Sequence, residues 1–304
     1  MKERALTIVS IIAALALFVG APQIVNAYWL GVALQLLSGI ALTQSWVAFS
    51  GLTGYVSLGH AVFYGAGAYV MALLWQSAAL WEILVASGFT AAALALLIGY
   101  PALRVRGPYF VILTLGLSEL CKYVVIAIEA ALESSGRLLF DTPDPVFLYY
   151  IMLLLAVLAT LLTWGLARSR WGAGLRAIRE DETAASTVGV PVTFLKIMAF
   201  VLSAFIPGVV GAVWVLRTTF FEPMQLFSPT TSFTIVTMAV IGGSDGAPGP
   251  IFGAAFIVIL SELLWARAPQ FYLVLLGILL ISFVLFIPRG IYGQLTALAQ
   301  RRRA

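Results

Sequence analysis

Long apolar runs separated by short polar breaks recur along the whole chain. They fall at about 5–21, 28–49, 53–75, 82–102, 109–128, 147–167, 195–216, 231–243, 251–267 and 270–287. Most have the roughly 17 to 25 residues with which a helix crosses a bilayer. The alternating ten-residue segments of a membrane β-barrel are absent. The pattern predicts an all-α polytopic membrane protein with about ten hydrophobic segments, some short or broken. The run 231–243 is the shortest. It is expected either to be a short helix broken at the glycines of 242–249 or to extend past its apparent end.

Composition sharpens this. Of 304 residues, 62% are hydrophobic and 10% charged, whereas a soluble domain is about a quarter charged. No stretch reads as a separate soluble domain, so a single membrane domain over 1–304 is expected. The placement of the basic residues gives orientation, because Lys and Arg resist translocation. Lys2 and Arg4 put the amino terminus inside. Arg104 and Arg106 then fall inside, as do Arg168, Arg170, Arg176 and Arg179, and finally Arg289 and Arg301 to Arg303. Both termini are therefore expected to be cytoplasmic. The loop 129–146 falls outside, with Glu129, Glu133, Asp141 and Asp144 against the single Arg137. The amino terminus, MKER followed by an apolar run and Val25-Asn26-Ala27, fits a cleaved signal peptide or an uncleaved first helix. Glu3 weakens the basic start and favours the latter.

The longest inside stretch, SRWGAGLRAIREDETAASTVGVP (169–191), has Leu175, Ile178, Ala185 and Val188 near helical spacing. Gly189 and Pro191 stop it. This predicts a brief amphipathic helix that either lies on lipid headgroups or docks a soluble partner. The small pair Ala184 and Ala185 permits close approach, and its mixed charges fit a protein better than an anionic lipid face. No GxxxxGK[ST] occurs, so the chain cannot cradle nucleotide phosphates in the P-loop manner. One cysteine, Cys121, and one histidine, His60, exclude an internal disulfide and a zinc site.

Four stretches, GLTGYVSLGHAVFYGAGAYVMALL (51–74), LRVRGPYFVILTLGLSEL (103–120), WGAGLRAIREDETAASTVGVPVTFLKIMAFVLSAFIPGVVGAVW (171–214) and VIGGSDGAPGPIFGAAF (240–256), resemble the permease subunits of bacterial ABC importers for branched-chain amino acids, of the LivM type. The resemblance implies a bacterial inner-membrane permease without covalent chemistry. ATP and Mg would be bound by two separate ATPase subunits. A second, related permease subunit, a periplasmic substrate-binding protein and membrane lipid complete the implied partners; nucleic acid is not among them. It makes 169–191 a coupling loop, with Arg176, Arg179, Glu182, Ala184, Ala185 and Gly189 as candidate ATPase contacts. Such permeases often carry Glu-Ala-Ala-x-x-x-Gly there. Here Thr183 stands in the glutamate's place and Glu182 is one position early. Relatives also carry urea, short amides and other amino acids, so a urea or amide permease remains open. A self-sufficient channel or secondary transporter is the alternative from another class.

Two glycine-rich stretches, one in each half, point to a pathway through discontinuous helices. The first has Ser57, Ala61 and Gly65 as a row of small residues. The second has Gly242, Gly243, Gly246 and Gly249. His60 is open to three roles: a ring hydrogen-bonded to a neighbouring helix, a lining or gate residue, or a catalytic base. The sequence GGSDG around Ser244 lacks the GxSG of a serine intramembrane protease and the GxGD of an aspartyl one, which disfavours the last. Glu119 and Lys122 sit one turn apart and are expected to form an ion pair facing the protein interior, with a substrate contact as the alternative. Pathway or gate candidates are therefore Ser57, His60, Gly65, Glu119, Gly243 and Gly246.

Overall fold

The computed structural model describes residues 15–133, 137–218, 220–244 and 246–265, with short pieces at 274–275, 277–278, 281–282 and 290–294. The expected segment 270–287 lies largely outside these residues, as do the terminal basic residues. The described chain is helical almost throughout. In order it runs α1 (Leu15–Ile24), α2 (Ala27–Trp46) continuing into a π-turn (Val47–Gly51), α3 (His60–Leu74), α4 (Leu80–Ala102) and α5 (Pro108–Ala131). A two-residue strand β1 (Arg137–Leu138) precedes α6 (Pro145–Arg168), α7 (Arg170–Glu180), α8 (Glu182–Thr187) and α9 (Val192–Thr218). Then come β2 (Phe220–Phe221), α10 (Pro223–Leu226), α11 (Pro229–Gly242) and α12 (Pro248–Trp265). β1 and β2 pair antiparallel, Arg137 opposite Phe221. Six helical stretches among the described residues are long and apolar enough to cross a bilayer, and α1, α3 and α12 are shorter apolar helices beside them.

Local chemistry sets the helix ends. Asn26 caps α2 by accepting from the Trp29 amide, Asp144 caps α6 with Pro145 at the first helical position, and Ser228 caps α11 ahead of Pro229. These side chains satisfy amides that a helix start leaves without partners, and proline there loses nothing because its missing N–H would have been unpaired.

Helix α9 is the spine of the bundle. A Cβ on Gly67 of α3 would sit 1.8 Å from the Gly208 carbonyl oxygen, and one on Gly211 would sit 2.0 Å from the Tyr64 carbonyl oxygen. The α3 and α9 backbones therefore touch, and glycine is the side chain that allows it. In lipid this matters, since tails are as apolar as leucine and close packing, not hydrophobicity, holds helices together. α4 lies on the other side of α9, with the Ala91 methyl against Gly208. α12 runs antiparallel to α2. Tyr28 hydrogen-bonds Glu262 at one end, and the Gln44 amide donates to the Ala247 carbonyl at 2.6 Å at the other.

The expected continuous segment 53–75 is corrected. Residues 54–59 are not helical, and α3 begins only at His60. Within a membrane such backbone must find partners inside the protein, and it does. The Ser57 amide donates to Ser50 Oγ (3.3 Å), the Leu58 amide to Thr114 Oγ1 (3.1 Å) and the Gly59 amide to Ser57 Oγ (3.2 Å), while Trp46 Nε1 donates to the Ser57 carbonyl (2.8 Å). Ser57 therefore stands outside the helix, and the expected row Ser57-Ala61-Gly65 is broken at its first member. The expected short helix 231–243 appears as α11, which ends at Gly242 because Gly243 takes φ +104°.

Candidate functional site

A cavity of about 600 Å³ opens between α2, α9, α10 and α11. Its walls are apolar, with Leu42, Tyr64, Trp214 and Ile235, and its polar groups are neutral hydroxyls and amides such as Ser38 and Thr231; none of the described residues lining it is charged. This size and lining suit a small molecule with an apolar body and a few polar groups.

One turn below Tyr64 on α3 lies His60. It is fully buried, and neither ring nitrogen has a hydrogen-bond partner among the described residues. Its ring meets Phe63 edge-on at 5.8 Å. The hydrogen bond expected to a neighbouring helix is thus not made by the ring. It is made by the backbone beside it: the Ala61 amide donates to Ser232 Oγ at 3.1 Å, joining α3 to α11. A buried polar group without a partner costs about 1–3 kcal/mol, so this arrangement is held by its surroundings.

The two glycine-rich breaks, far apart in sequence, come together at this end of the bundle. A Cβ on Gly51 would lie 2.5 Å from the Ser244 carbonyl oxygen, and one on Gly249 would lie 1.9 Å from that of Gly243. Gly246, by contrast, has only the Pro248 ring within 4 Å. Gly65 faces the Phe227 ring on the cavity side of α3. Glu119 pairs with Lys122 at 2.5 Å; Lys122 is buried and Glu119 partly exposed. The pair lies along α5, and neither residue lines the cavity.

The stretch 169–191 folds as two helices, α7 and α8, not one. Asp181 breaks the run by turning its backbone extended and capping α8, its carboxylate accepting from the Thr183 and Ala184 amides at 2.8 and 2.9 Å. Leu175, Ile178 and Ala185 are buried as expected, but Val188 is 78% exposed, past the end of α8. Ala184 faces outward and Ala185 is buried against the bundle, so the two do not form one small surface patch. Gly189 follows with φ +87°, open on all sides.

Both α7 and α8 grip the breaks. Arg179 donates to the Gly51 carbonyl at 2.9 Å, and its side chain packs on Gly54. Arg176 turns back to the Ala167 carbonyl at 2.6 Å. Glu182 is the centre of a clasp. Its carboxylate meets Lys196 Nζ at 2.9 Å and Arg106 at 3.2 Å, and it accepts a hydrogen bond from the Tyr55 hydroxyl. Lys196 also donates to the Leu103 carbonyl at 2.9 Å and to Tyr55 at 3.2 Å. Burial pushes the Glu182 carboxyl up, but Tyr55, Lys196 and Arg106 outweigh this and hold it below its ordinary range. Burial, then the Glu182 carboxylate, pushes the Tyr55 phenol well above its ordinary value. Four chain segments meet here. Tyr55 and Lys196 were not anticipated in any role. The available signal was that Lys196 is one of only three lysines and stands at the head of an apolar run, where an ionisable group calls for a partner.

An all-helical bundle with this cavity, interrupted segments beside it and a polar helix pair gripping those interruptions defines a polytopic membrane permease. Residues 40–284 match the family described as "Branched-chain amino acid transport system / permease component", and the chain belongs to that family. It is similar to the high-affinity branched-chain amino acid transport system permease protein LivM of Escherichia coli (strain K12), 29% identical over 92% of this chain and 74% of the relative. LivM of Salmonella typhimurium is 28% identical over 79% of this chain and 64% of its own length. The fructose import permease protein FrcC of Rhizobium meliloti is 30% identical over 48% of this chain and 42% of its own. No solved structure matches the chain.

Proposed function

We propose that the chain is the membrane-spanning subunit of an ATP-driven importer for branched-chain amino acids in a bacterial inner membrane. Separate ATPase subunits would bind ATP and Mg, a periplasmic binding protein would deliver the cargo, and a second, related permease subunit would complete the pathway. The uncharged cavity supports a hydrophobic amino acid over a sugar: its aromatic and aliphatic walls suit the side chain, and its hydroxyls and amides suit the polar ends.

The observation that carries the mechanism is the grip of α7 and α8 on both interrupted segments, through Arg179 on Gly51 and Glu182 on Tyr55. A push on the exposed side of α8, at Ala184, travels through these bonds to the backbone beneath His60. His60 then acts as a gate residue whose nitrogens find partners when the pathway opens, an alternating-access step in which ATP binding shifts a two-state equilibrium. On this mechanism Glu182 is a link inside the permease, and ATPase contact falls to Ala184 and its exposed neighbours.

The test is co-purification and reconstituted uptake with Ala184→Arg. The expected result is an intact, folded permease that loses its ATPase subunits and its ATP-dependent leucine uptake. Leucine uptake by the lone wild-type chain in liposomes without ATP would overturn the importer function in favour of a self-sufficient transporter.

A further inference from the structure

A second cavity, of about 370 Å³, lies beside the clasp where α4 ends and α9 begins. Arg104, Arg106 and Lys196 line it against one carboxylate, Glu182. Lys196 is spent on Glu182, on Leu103 and on Tyr55. Two guanidiniums, each with five donors, therefore remain as positive charge in surplus. Arg106 makes one contact to Glu182 and its side chain is 61% exposed. Arg104 lies over the Tyr100 ring at 4.8 Å. Thr193, in the first turn of α9, adds a hydroxyl at the positive end of that helix. The cavity is built for an oxyanion.

Its level in the membrane is marked by its neighbours. Tyr100 and Tyr109 flank it and are exposed, and at the same end of the bundle Arg168 lies over the exposed Trp164 at 4.4 Å. Such rings with cations mark the bilayer–water boundary. From there an exposed apolar stripe, Trp81, Val85, Phe89, Leu96 and Tyr100, runs back along one face of α4. At 1.5 Å per residue it is about 28 Å long, close to the hydrocarbon thickness of about 30 Å. The anion site thus opens at the head of a lipid-facing track.

We propose that this cavity holds the phosphate of an anionic glycerophospholipid, its acyl chains lying along Leu96 and Leu97 of α4. The shared chemistry is a phosphate anion; the apolar track selects the lipid over free phosphate. The site does not depend on which solute the permease carries.

The experiment uses the full chain, washed in mild non-ionic detergent and titrated with phosphatidylglycerol or phosphatidylcholine, with bound lipids counted by native mass spectrometry. Thermal midpoints are taken in parallel. The variants are Arg104→Gln/Thr193→Glu in the cavity, Thr193→Glu alone should the double variant not fold, and Arg168→Gln as an equally interfacial arginine outside it. Wild type should retain one phosphatidylglycerol at roughly tenfold lower concentration than phosphatidylcholine. The cavity variants should lose that preference, and Arg168→Gln should keep it. The proposal is overturned by equal retention of both lipids, or by an equal loss in Arg168→Gln, which would mean diffuse surface charge. Displacement by millimolar inorganic phosphate, or expulsion of the lipid by added ATPase subunits, would assign the cavity to those ligands instead.

Discussion

The clasp around Glu182 allows a sharp test, because its two halves are unequal. The Lys196 side chain is only 5% exposed and that of Glu182 13%. Glu182→Gln removes the one anion within reach of a buried ammonium and leaves it the neutral Leu103 carbonyl and Tyr55 hydroxyl. Breaking a buried pair in this way costs about 3–5 kcal/mol; with two neutral acceptors kept, about 3 kcal/mol is expected. Lys196→Met is gentler. Glu182 keeps Arg106 and Tyr55, so the loss is that of one charged hydrogen bond, about 1.5–2 kcal/mol. Removing both charges with Glu182→Gln/Lys196→Met should return stability to within about 1 kcal/mol of wild type, since apolar replacement of a buried pair is often neutral. Unfolding of the four proteins in mixed micelles, titrated with a denaturing detergent, gives the free energies for a double-mutant cycle. A double variant that simply adds the two single losses would refute the reasoning, as would Lys196→Met costing as much as Glu182→Gln. The same cycle has a pH signature. The Glu182 carboxyl is depressed in the folded protein, so its contribution is present above the ordinary carboxylate value and is lost only as pH falls through the lower folded value. Tyr55 is raised, so its contribution is complete below the ordinary phenol value and fades as pH rises beyond it. The wild-type advantage over the double variant should be flat between about pH 5 and pH 9.

Three further outcomes are expected. Gly67→Ala drives a methyl into the Gly208 carbonyl; it should cost about 3 kcal/mol or abolish folding, whereas Gly165→Ala, with open space around it, should be neutral or stabilising by up to about 1 kcal/mol. Equal thermal midpoints for the two would contradict the contact. His60→Leu should raise stability by about 1 kcal/mol by removing two unpaired nitrogens while impairing reconstituted uptake, and a destabilised variant would mean the ring has a partner. Asp181→Ala removes the cap of α8 at a cost of about 1 kcal/mol, to be seen as faster amide exchange confined to residues 182–187; unchanged exchange there would remove Asp181 from that role.

Much of the architecture was legible because bilayer physics writes it in one dimension. Apolar runs of crossing length mark α2, α4, α5, α6 and α9 directly, and the glycines that let α3 touch α9 stand out within them. What could not be read depends on partners distant in sequence. Residues 54–59 sit in a run as apolar as any helix, and their coil is stabilised by Ser50, Trp46 and Thr114, which composition does not connect to them. The clasp joins Tyr55, Arg106, Glu182 and Lys196 from four segments. Ala184 and Ala185 are alike in sequence, yet one faces out and the other is core, a difference set by where Asp181 starts the helix. His60 was legible as unusual, but not that its ring would be left without a partner.

The π-turn at Val47–Gly51 has a bearing on how this chain tolerates change in length. A π-turn holds one residue more than the α-helix it interrupts, so α2 carries a spare residue just before the break. Deleting one residue between 47 and 51 would restore a regular ladder and swing everything after it by about 100°. Tyr55 would then leave Glu182 and the Gly51 carbonyl would leave Arg179. Helix α2 itself would lose nothing. The spare residue is thus a phase setting, fixing the rotational angle at which the membrane helix hands its motion to the loop, and length changes of a single residue should be far less tolerated there than substitutions of similar bulk.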